Sequence, residues 1–398
     1  MSPRKQSEPG PVENIEPITT TDALAALCEQ LARAPFVTVD TEFLRETTYY
    51  PKLCLIQIAS DEVAAIIDPL ADDLDLAPFH ELMANRDVMK VFHAARQDLE
   101  IMFNEAGVVP APLFDTQIAA AALGYGDQIA YDQLVQRITG AHIDKSSRFT
   151  DWARRPLSEK QLAYAIGDVT HLIAVSRHLA EQLAERGRQD WIADEMATLS
   201  SPDTYDADPA DAWRRLKMRL RKPRDLAVMR IVAEWRERTA RERDVPRNRV
   251  IKDDAIFEIA QQQPRSPEAL GRLRTVPNGF ERSRAGGEVL EAVAEAIAIP
   301  EEELPKMQRR EQLPDWVQPA AELLRVLLKL RAEREGIVPR MLATNDELDQ
   351  LAHKGEEAEV RALTGWRRDV FGNDALRMVG GELALRFVDG RIDVAEVK

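Results

Sequence analysis

The sequence predicts an α/β domain with a mixed β-sheet, followed by a C-terminal half that is all helical. Strand-like apolar runs alternate with helical patterns only over residues 16–200. A Pro-, Asp- and Ser-rich linker follows at residues 201–210, and the pattern beyond it is helical throughout. At 398 residues the chain is too long for one hydrophobic core, so two or three domains are expected.

The composition is that of a soluble globular protein, with 44% hydrophobic and 30% charged residues. No apolar run approaches the roughly 18 residues that cross a membrane. The N-terminus lacks the apolar core of a signal peptide, which predicts a disordered segment at residues 1–15 and a cytoplasmic protein. Cys28 and Cys54 are the only cysteines, so a disulfide framework and a cysteine-based zinc site are excluded.

The elements of the first domain follow in a βββαβα order after a short N-terminal helix. Strand-like runs lie at residues 36–43, 53–60, 63–68 and 90–94, and helical patterns at 78–85 and 95–106. Short connections in this order favour a mixed sheet with helices packed on it. Residues 115–187 are mainly helical, and Ser158 followed by Gln161 predicts a capping box at the start of the longest helix.

The second half shows a weak internal repeat. Segments starting at Arg241 and Arg334 both have a charged helix end, then Val-Pro-Arg, an apolar step and a polar cap before another helix. The repeat favours two related helical domains at residues 211–295 and 313–398, joined by a linker at 296–312. Two unrelated helical hairpins would give the same match.

The net charge of −15 is distributed unevenly. Residues 211–299 carry 20 Lys and Arg against 14 Asp and Glu, whereas residues 300–398 carry 16 against 20, which leaves about −17 on residues 1–210. The basic middle is therefore the natural binding surface for a polyanion, although a solvated helix face would look the same. Its densest part, residues 214–224, supplies the candidate phosphate contacts: Arg214, Arg215, Lys217 and Arg219.

Four carboxylates and a tyrosine stand on otherwise apolar elements of the first domain. Asp40 and Glu42 lie two apart on a strand and share its face, and Tyr164 and Asp168 lie four apart on a helix and share its face. Asp98 lies on another helix. Acidic groups in apolar surroundings repel one another and cost desolvation, and divalent cations with oxygen ligands usually offset that cost. Two Mg²⁺ or Mn²⁺ ions about 4 Å apart would suit in-line phosphoryl displacement.

Structural roles for the same residues stay open on spacing alone. An Asp at a strand end often caps a turn, Asp98 could complement a helix dipole, and Tyr164 could be core. We interpret Asp115 as a helix N-cap rather than a ligand. Four further residues could contact substrate, with core packing or a flexible loop as the alternative: Phe43, Leu44, His93 and Lys145.

The three segments resemble the exonuclease motifs of the DEDD superfamily of 3′-5′ exonucleases, in its tyrosine-bearing form. Within that superfamily they are similar to bacterial ribonuclease D. The resemblance rests on DTEF with the following TYYPKLCLIQIA, on HAARQDLEIMF and on YAIGDVTHL. FDTQIAAA and the segment from Ile143 to Ala165 extend it over nearly all of residues 30–190. The helical remainder resembles two HRDC domains, the second more diverged.

The resemblance implies an RNase H-like mixed sheet and a hydrolase with an intact active site. Asp40, Glu42, Asp98 and Asp168 would bind two divalent metal ions, and Tyr164 would position the attacking water. The implied activity is trimming of RNA 3′ ends, notably of tRNA precursors, with release of nucleoside 5′-monophosphates. RNA is the expected partner, and neither a membrane nor an obligate protein partner is indicated. A DNA repair exonuclease and an inactive RNA-binding scaffold are the alternatives.

Overall fold

The computed structural model describes residues 10–148, 150–218, 220–307 and 313–397. The N-terminal domain is built on a six-stranded sheet in the order β1-β4-β3-β2-β5-β6. Its strands are Val12–Ile18 (β1), Phe36–Leu44 (β2), Lys52–Ala59 (β3), Val63–Ile67 (β4), Met89–Phe92 (β5) and Leu113–Asp115 (β6). β3 runs antiparallel to both β2 and β4, and the other neighbours are parallel, so the expected mixed sheet is confirmed.

Helices cover both faces of this sheet. They are Thr21–Leu31 (α1), Ala77–Ala84 (α2), Arg96–Ala106 (α3), Thr116–Ala122 (α4), Tyr131–Thr139 (α5), Glu159–Glu185 (α6) and Ala193–Leu199 (α7). One apolar cluster joins α1, α2 and α3 to one face, and a second joins α6 to the other face. The predicted capping box of Ser158 and Gln161 starts α6. The carboxylate of Asp115 accepts from two backbone N–H groups at the start of α4, which confirms it as an N-cap.

Two strands of the N-terminal domain were not predicted from the sequence. β1 begins inside the segment that we expected to be disordered, so that expectation is wrong for residues 12–15, while residues 1–9 lie outside the described part of the chain. β1 is an edge strand whose first five residues are exposed, so it lacks the apolar alternation that reveals a strand. β6 has only three residues and is too short to show a pattern.

The first helical domain has its own hydrophobic core. Its helices are Pro223–Glu242 (α8), Arg247–Val250 (α9), Asp253–Gln262 (α10), Pro267–Leu270 (α11) and Arg284–Ala298 (α12). α12 runs three residues past the boundary predicted at 295, and Ile299 still packs on this core. Part of the linker predicted at 296–312, residues 308–312, lies outside the described residues.

The second helical domain also has a separate core. It comprises Val317–Glu335 (α13), Asn345–Lys354 (α14), Gly365–Arg367 (α15), a π-helical turn at Arg368–Gly372, Asn373–Val379 (α16), Leu383–Val388 (β7) and Arg391–Glu396 (β8). The all-helical prediction is wrong for its end, where β7 and β8 form an antiparallel hairpin. Asp389 and Gly390 both have positive φ in its turn, and Asp-Gly between apolar runs is the signal that would have found it.

Both helical domains contact the N-terminal domain through the repeated Val-Pro-Arg junction. In each, this junction follows a helix of 19 or 20 residues and precedes a helix of ten. Arg247 of the first copy donates to the hydroxyl of Tyr49, which lies in the β2–β3 loop. Arg340 of the second copy pairs with Asp127 at 3.2 Å. In each helical domain, the repeated junction thus lies on the surface that contacts the N-terminal domain.

The second helical domain is also held by apolar and charged contacts. Trp191 and Trp366 stack with ring centroids 4.1 Å apart and planes inclined by 3°. The guanidinium of Arg367 is buried and donates to the carboxylates of Asp194 and Glu195. These contacts place the second helical domain firmly on α7 of the N-terminal domain.

In the described part of the chain, no helix is both long and apolar enough to span a membrane.

Candidate active site

The site forms where β2 extends beyond the end of its neighbour β5. The two strands pair only over Phe36–Thr38 of β2, so the following residues Asp40 to Glu42 have no strand on that side. Side chains from helices on both faces of the sheet can reach this gap. A cavity of about 380 Å³ opens there, and all five expected catalytic residues line it: Asp40, Glu42, Asp98, Tyr164 and Asp168.

Three of the carboxylates converge closely. One oxygen from each of Asp40, Glu42 and Asp168 lies within 4.8 Å of the others. Asp40 and Glu42 share a face of β2, and Asp168 comes from the middle of α6, which packs on that face. Oxygen ligands from two rigid elements are the donor set that hard divalent cations prefer, so these residues fit such ions.

Asp98 borders the same cavity but stands apart from this group of three. It lies on α3, which packs on the opposite face of the sheet from α6. The side chain of Thr41 leaves that opposite face and its hydroxyl donates to Oδ1 of Asp98. Thr41 therefore links the strand of the first motif to the helix of the second, and it fixes the orientation of the Asp98 carboxylate.

The electrostatics of the cavity favour cation binding. Burial and the neighbouring Asp168 and Asp98 raise the pKa of Glu42 to about 9. Burial also raises the pKa values of Asp98 and Asp168 to about 7 each. Burial, followed by the charges of the other three acids, raises the pKa of Asp40 well above its usual range. Acids that destabilise one another in this way gain most from a positive ion between them.

Tyr164 and Arg148 complete the polar wall of the cavity. Burial and the charges of Asp168 and Glu42 raise the pKa of Tyr164, so its hydroxyl keeps its proton. The positive charge of Arg148, which also lines the cavity, acts to lower the pKa values of Glu42 and Asp168. The cavity therefore combines a neutral hydroxyl donor with a cation beside the acids.

A strained turn aims the helix that carries Asp98. Ala94 has a φ of 59°, in the left-handed region that residues other than glycine rarely adopt. The carboxylate of Asp115 accepts hydrogen bonds from the backbone N–H groups of Ala94 at 3.2 Å and Ala95 at 2.8 Å. Asp115 thus holds the β5–α3 turn in addition to capping α4, a second role that the sequence did not suggest.

The predicted substrate contacts in the N-terminal domain have mixed positions. Phe43, His93 and Lys145 line the cavity, whereas Leu44 packs against the core under α6. The ring nitrogens of His93 lie 3.0 Å from Thr116 Oγ1 and 3.1 Å from the carbonyl oxygen of Ile129. Both are thus engaged within the protein.

Lys145 is also engaged, through an ion pair with Asp132 at 2.7 Å. Its contact with a phosphate would require this pair to open. The described residues of the basic segment (214–218 and 220–224) lie on the first helical domain, and none of them lines the cavity. Arg214 pairs with Asp211 at 2.7 Å and Arg215 with Glu237 at 3.2 Å, while Lys217 is exposed. Arg219 lies outside the described residues.

Three residues of the site were missed by the sequence reading: Thr41, Tyr131 and Arg148. Tyr131 donates from its hydroxyl to the backbone carbonyl of Asp168 at 2.6 Å, and its ring lies 5.3 Å from that of His93. A tyrosine at a helix start carries no sequence signal for such a contact. For Thr41 the signal was present, since a hydroxyl stands between two acids near the end of a strand.

Comparison with known proteins decides the family. The chain is 52% identical to ribonuclease D of Nitrobacter hamburgensis over 94% of its length and 98% of that protein. It is 48% identical to ribonuclease D of Granulibacter bethesdensis, with 94% of both chains covered. The chain belongs to the ribonuclease D family. As a ribonuclease D it is a hydrolytic 3′-5′ exoribonuclease, and the acidic cavity of its exonuclease domain fits divalent metal ions.

Domain models and solved structures agree with the ribonuclease D assignment. The 3′-5′ exonuclease model matches residues 15–184, and the HRDC domain model matches residues 225–293. Escherichia coli RNase D, described as an exoribonuclease involved in structured RNA processing, superposes with a TM-score of 0.80 at 33% identity. That match covers 93% of this chain and 99% of the other. The first helical domain is thus an HRDC domain, and HRDC identity of the second stays a prediction.

Proposed function

We propose that this ribonuclease D trims the 3′ ends of structured RNAs, chiefly tRNA precursors, and releases nucleoside 5′-monophosphates with the help of two divalent metal ions. The observation that carries the proposal is the convergence of Asp40, Glu42 and Asp168 within 4.8 Å, with Asp98 on the rim of the same cavity. An exoribonuclease described as acting in structured RNA processing shares this fold over nearly its whole length.

Each residue has a separable role in this proposal. Asp40, Glu42, Asp98 and Asp168 would hold two Mg²⁺ or Mn²⁺ ions, which would stabilise the attacking and leaving oxygens of the displacement. Tyr164 keeps its proton at neutral pH because burial and the adjacent acids raise its pKa. Its hydroxyl is therefore suited to orient the attacking water by hydrogen bonding rather than to take its proton.

The charge distribution supports a single-stranded 3′ end as the part that enters. The acids around the cavity repel phosphates, so RNA approaches it only where cations offset that repulsion. Arg148 and Lys145 on the cavity wall are the positive side chains nearest to an entering phosphate. Lys217 and its basic neighbours on the HRDC domain would contact phosphates further along the RNA.

Product analysis tests this function. RNA with a labelled 5′ end, a folded body and a single-stranded 3′ tail is incubated with Mg²⁺ or EDTA, beside a DNA of the same sequence and an RNA with a blocked 3′ hydroxyl. We expect stepwise shortening of the unblocked RNA, release of 5′-monophosphates, a requirement for the metal, and arrest at the folded body. Internal cleavage, or equal degradation of the blocked RNA, would rule out the proposal. Faster degradation of the DNA would favour a repair exonuclease.

A further inference from the structure

Gln57, in the middle of β3, is a fully buried amide without a hydrogen-bond partner. Its side chain has no solvent exposure, and neither Nε2 nor Oε1 finds a partner among the described residues. Most buried side-chain amides are paired, and one that is not calls for a specific explanation. The explanation lies in what stands opposite this residue.

Gln57 is paired directly with Asp40 across the antiparallel β2–β3 ladder. Residues that oppose each other in this way project from the same face, with Cβ atoms about 4.5–5.5 Å apart. A glutamine amide extends far enough from its Cβ to reach the opposite carboxylate, and its terminal torsion turns freely. The register therefore places a two-proton donor beside one of the three converging acids of the cavity.

The surroundings of Gln57 exclude a simple packing role. Its neighbours on the same face of β3, Leu55 and Ala59, are apolar and pack under α6 with Ala165 and Val169. An apolar side chain of similar length would fill this place without burying an unpaired amide. The polar residue stands at the one position of this strand face that opposes Asp40.

We propose that Gln57 is a positioning residue for the metal-bound state: when the ion binds, the amide turns so that Nε2 donates a hydrogen bond to the Asp40 carboxylate and directs the remaining oxygen lone pairs toward the ion. The proposal rests on the metal-binding role of Asp40 given above. Groups that orient a metal ligand without touching the ion typically change metal affinity or activity by about 10- to 100-fold when removed.

The test uses the full chain with Gln57→Met, which keeps the length of the side chain and removes the donor. Thr38→Val is the matched control, because Thr38 is fully buried two residues before Asp40 on the same strand and donates to the carbonyl oxygen of Val169 at 2.9 Å. Mn²⁺ affinity is measured by calorimetry, the thermal midpoint in EDTA, and kcat and KM on tailed RNA.

The two variants should change the thermal midpoint in EDTA in opposite directions, and only Gln57→Met should change the Mn²⁺ affinity. Gln57→Met is expected to raise the thermal midpoint in EDTA, weaken Mn²⁺ binding about 10- to 100-fold and lower kcat while KM stays unchanged. Thr38→Val is expected to lower the midpoint and keep the Mn²⁺ affinity of the unaltered chain. If Gln57 had only a structural role, its replacement would shift the thermal midpoint and leave the Mn²⁺ affinity unchanged.

Wild-type Mn²⁺ affinity in Gln57→Met would overturn the positioning role. Absence of Mn²⁺ binding in the unaltered chain, or full binding in Asp40→Asn, would instead overturn the metal assignment on which this role rests. Should Gln57→Met not fold, Gln57→His keeps an N–H donor at similar reach and should bind Mn²⁺ more tightly than Gln57→Leu. The reverse order of these two variants would also contradict the proposal.

Discussion

Among single residues, the proposed metal ligands are expected to lower the stability of the metal-free protein, and Asp168 allows the clearest test of this. Asp168→Asn keeps the shape of the side chain and removes one of the mutually repelling charges. We expect hydrolysis in excess Mg²⁺ to fall by about 10²- to 10³-fold or more, because a ligand is lost. The thermal midpoint in EDTA should stay the same or rise. Asp61→Asn, at an exposed acid paired with Arg177, is the control and should change neither quantity.

The raised pKa values give the metal-free protein a defined pH dependence. The pKa values of Asp98 and Asp168 are about 7 and that of Glu42 about 9, whereas unfolded carboxyls titrate near 4. As pH rises from about 4 to about 9, the unfolded chain releases protons before the folded protein does, so these groups lower the free energy of unfolding.

Denaturant unfolding in EDTA checks this at pH 5 and pH 9. The free energy of unfolding of Asp168→Asn relative to the unaltered chain should increase between the two pH values. Added Mn²⁺ should stabilise the unaltered chain more at pH 9 than at pH 5, because deprotonated ligands bind the ion. A difference between the two proteins that is independent of pH would show that folding does not raise the pKa of Asp168.

Tyr164 should act on the rate and leave the metal in place. Tyr164→Phe is expected to slow hydrolysis by about 10- to 10³-fold, since one orienting hydrogen bond is lost. Calorimetry should find its Mn²⁺ affinity close to that of the unaltered chain. A loss of affinity as deep as that of Asp40→Asn would make Tyr164 a part of the metal site instead.

At this scale the sequence identifies side chains that have distinctive chemistry but misses those defined by register. The four acids and Tyr164 stand out because charged or polar groups on apolar elements need a reason to be there. Gln57 and Tyr131 become meaningful only when the β2–β3 pairing and the approach of α5 to α6 are known. These are long-range contacts that no local pattern encodes.

Among the elements, the β2–β3 loop connects the acidic strand to the HRDC domain. Tyr49 in this loop donates to Oε1 of Glu237 at 2.5 Å, and the guanidinium of Arg247 stacks over its ring at 4.6 Å. The carboxylate of Asp244 accepts from the backbone N–H of Tyr49 at 2.9 Å. The strand that carries Asp40 and Glu42 is thus tied through its own loop to the domain expected to bind RNA.

Glu237 makes this connection sensitive to acid. Burial alone would raise its pKa, but hydrogen bonds from Arg247 and Tyr49 and the charges of Arg247 and Arg215 outweigh it and lower the pKa to about 2. An acid with a depressed folded pKa stabilises the protein above its unfolded value near 4.3, and this stability is lost as pH falls toward 2.

Glu237→Gln should cost about 2–3 kcal/mol at neutral pH, because it leaves buried donors and charges without their acceptor. Hydrogen exchange should also speed up in residues 45–51. Glu234→Gln, one turn earlier in an exposed pair with Arg238, is the control and should leave both unchanged. Equal effects in the two variants would mean that the connection contributes nothing specific.

Long, regular elements were predictable and irregular or edge elements were not. α6, α8 and α13 follow from their helical periodicity and end signals. β1 and β6 were missed because one is an exposed edge and the other has three residues, and the β7–β8 hairpin was missed although Asp389-Gly390 signalled it. Sequence periodicity reports burial on one face, so strands without such a face escape it.

In the whole molecule, two helical domains are docked on one exonuclease domain. The Trp191–Trp366 stack and the buried Arg367 join the second domain to α7 and to the turn that precedes it. Deleting residues 210–398 should therefore lower the thermal midpoint of the remaining domain, because the apolar surface around Trp191 becomes exposed. The deletion should also weaken binding to structured RNA and flatten its salt dependence, because the basic segment is lost.

Lys217→Glu in the full chain tests the basic segment without uncovering that surface. It should weaken RNA binding and reduce the slope of log affinity against log salt concentration by about one or more. The opposite charge change, Asp211→Lys, is not a suitable second test, because it also breaks the ion pair between Asp211 and Arg214. An unchanged salt slope in Lys217→Glu would make this segment a solvated helix face only.

The location of bound Mn²⁺ in crystals of the full chain tests the central claim most directly, by anomalous diffraction. Occupied Mn²⁺ sites among Asp40, Glu42 and Asp168, and their loss in Asp40→Asn, are the result expected here. Manganese that binds elsewhere while this cavity stays empty, in crystals of a protein that still degrades RNA, would contradict the account.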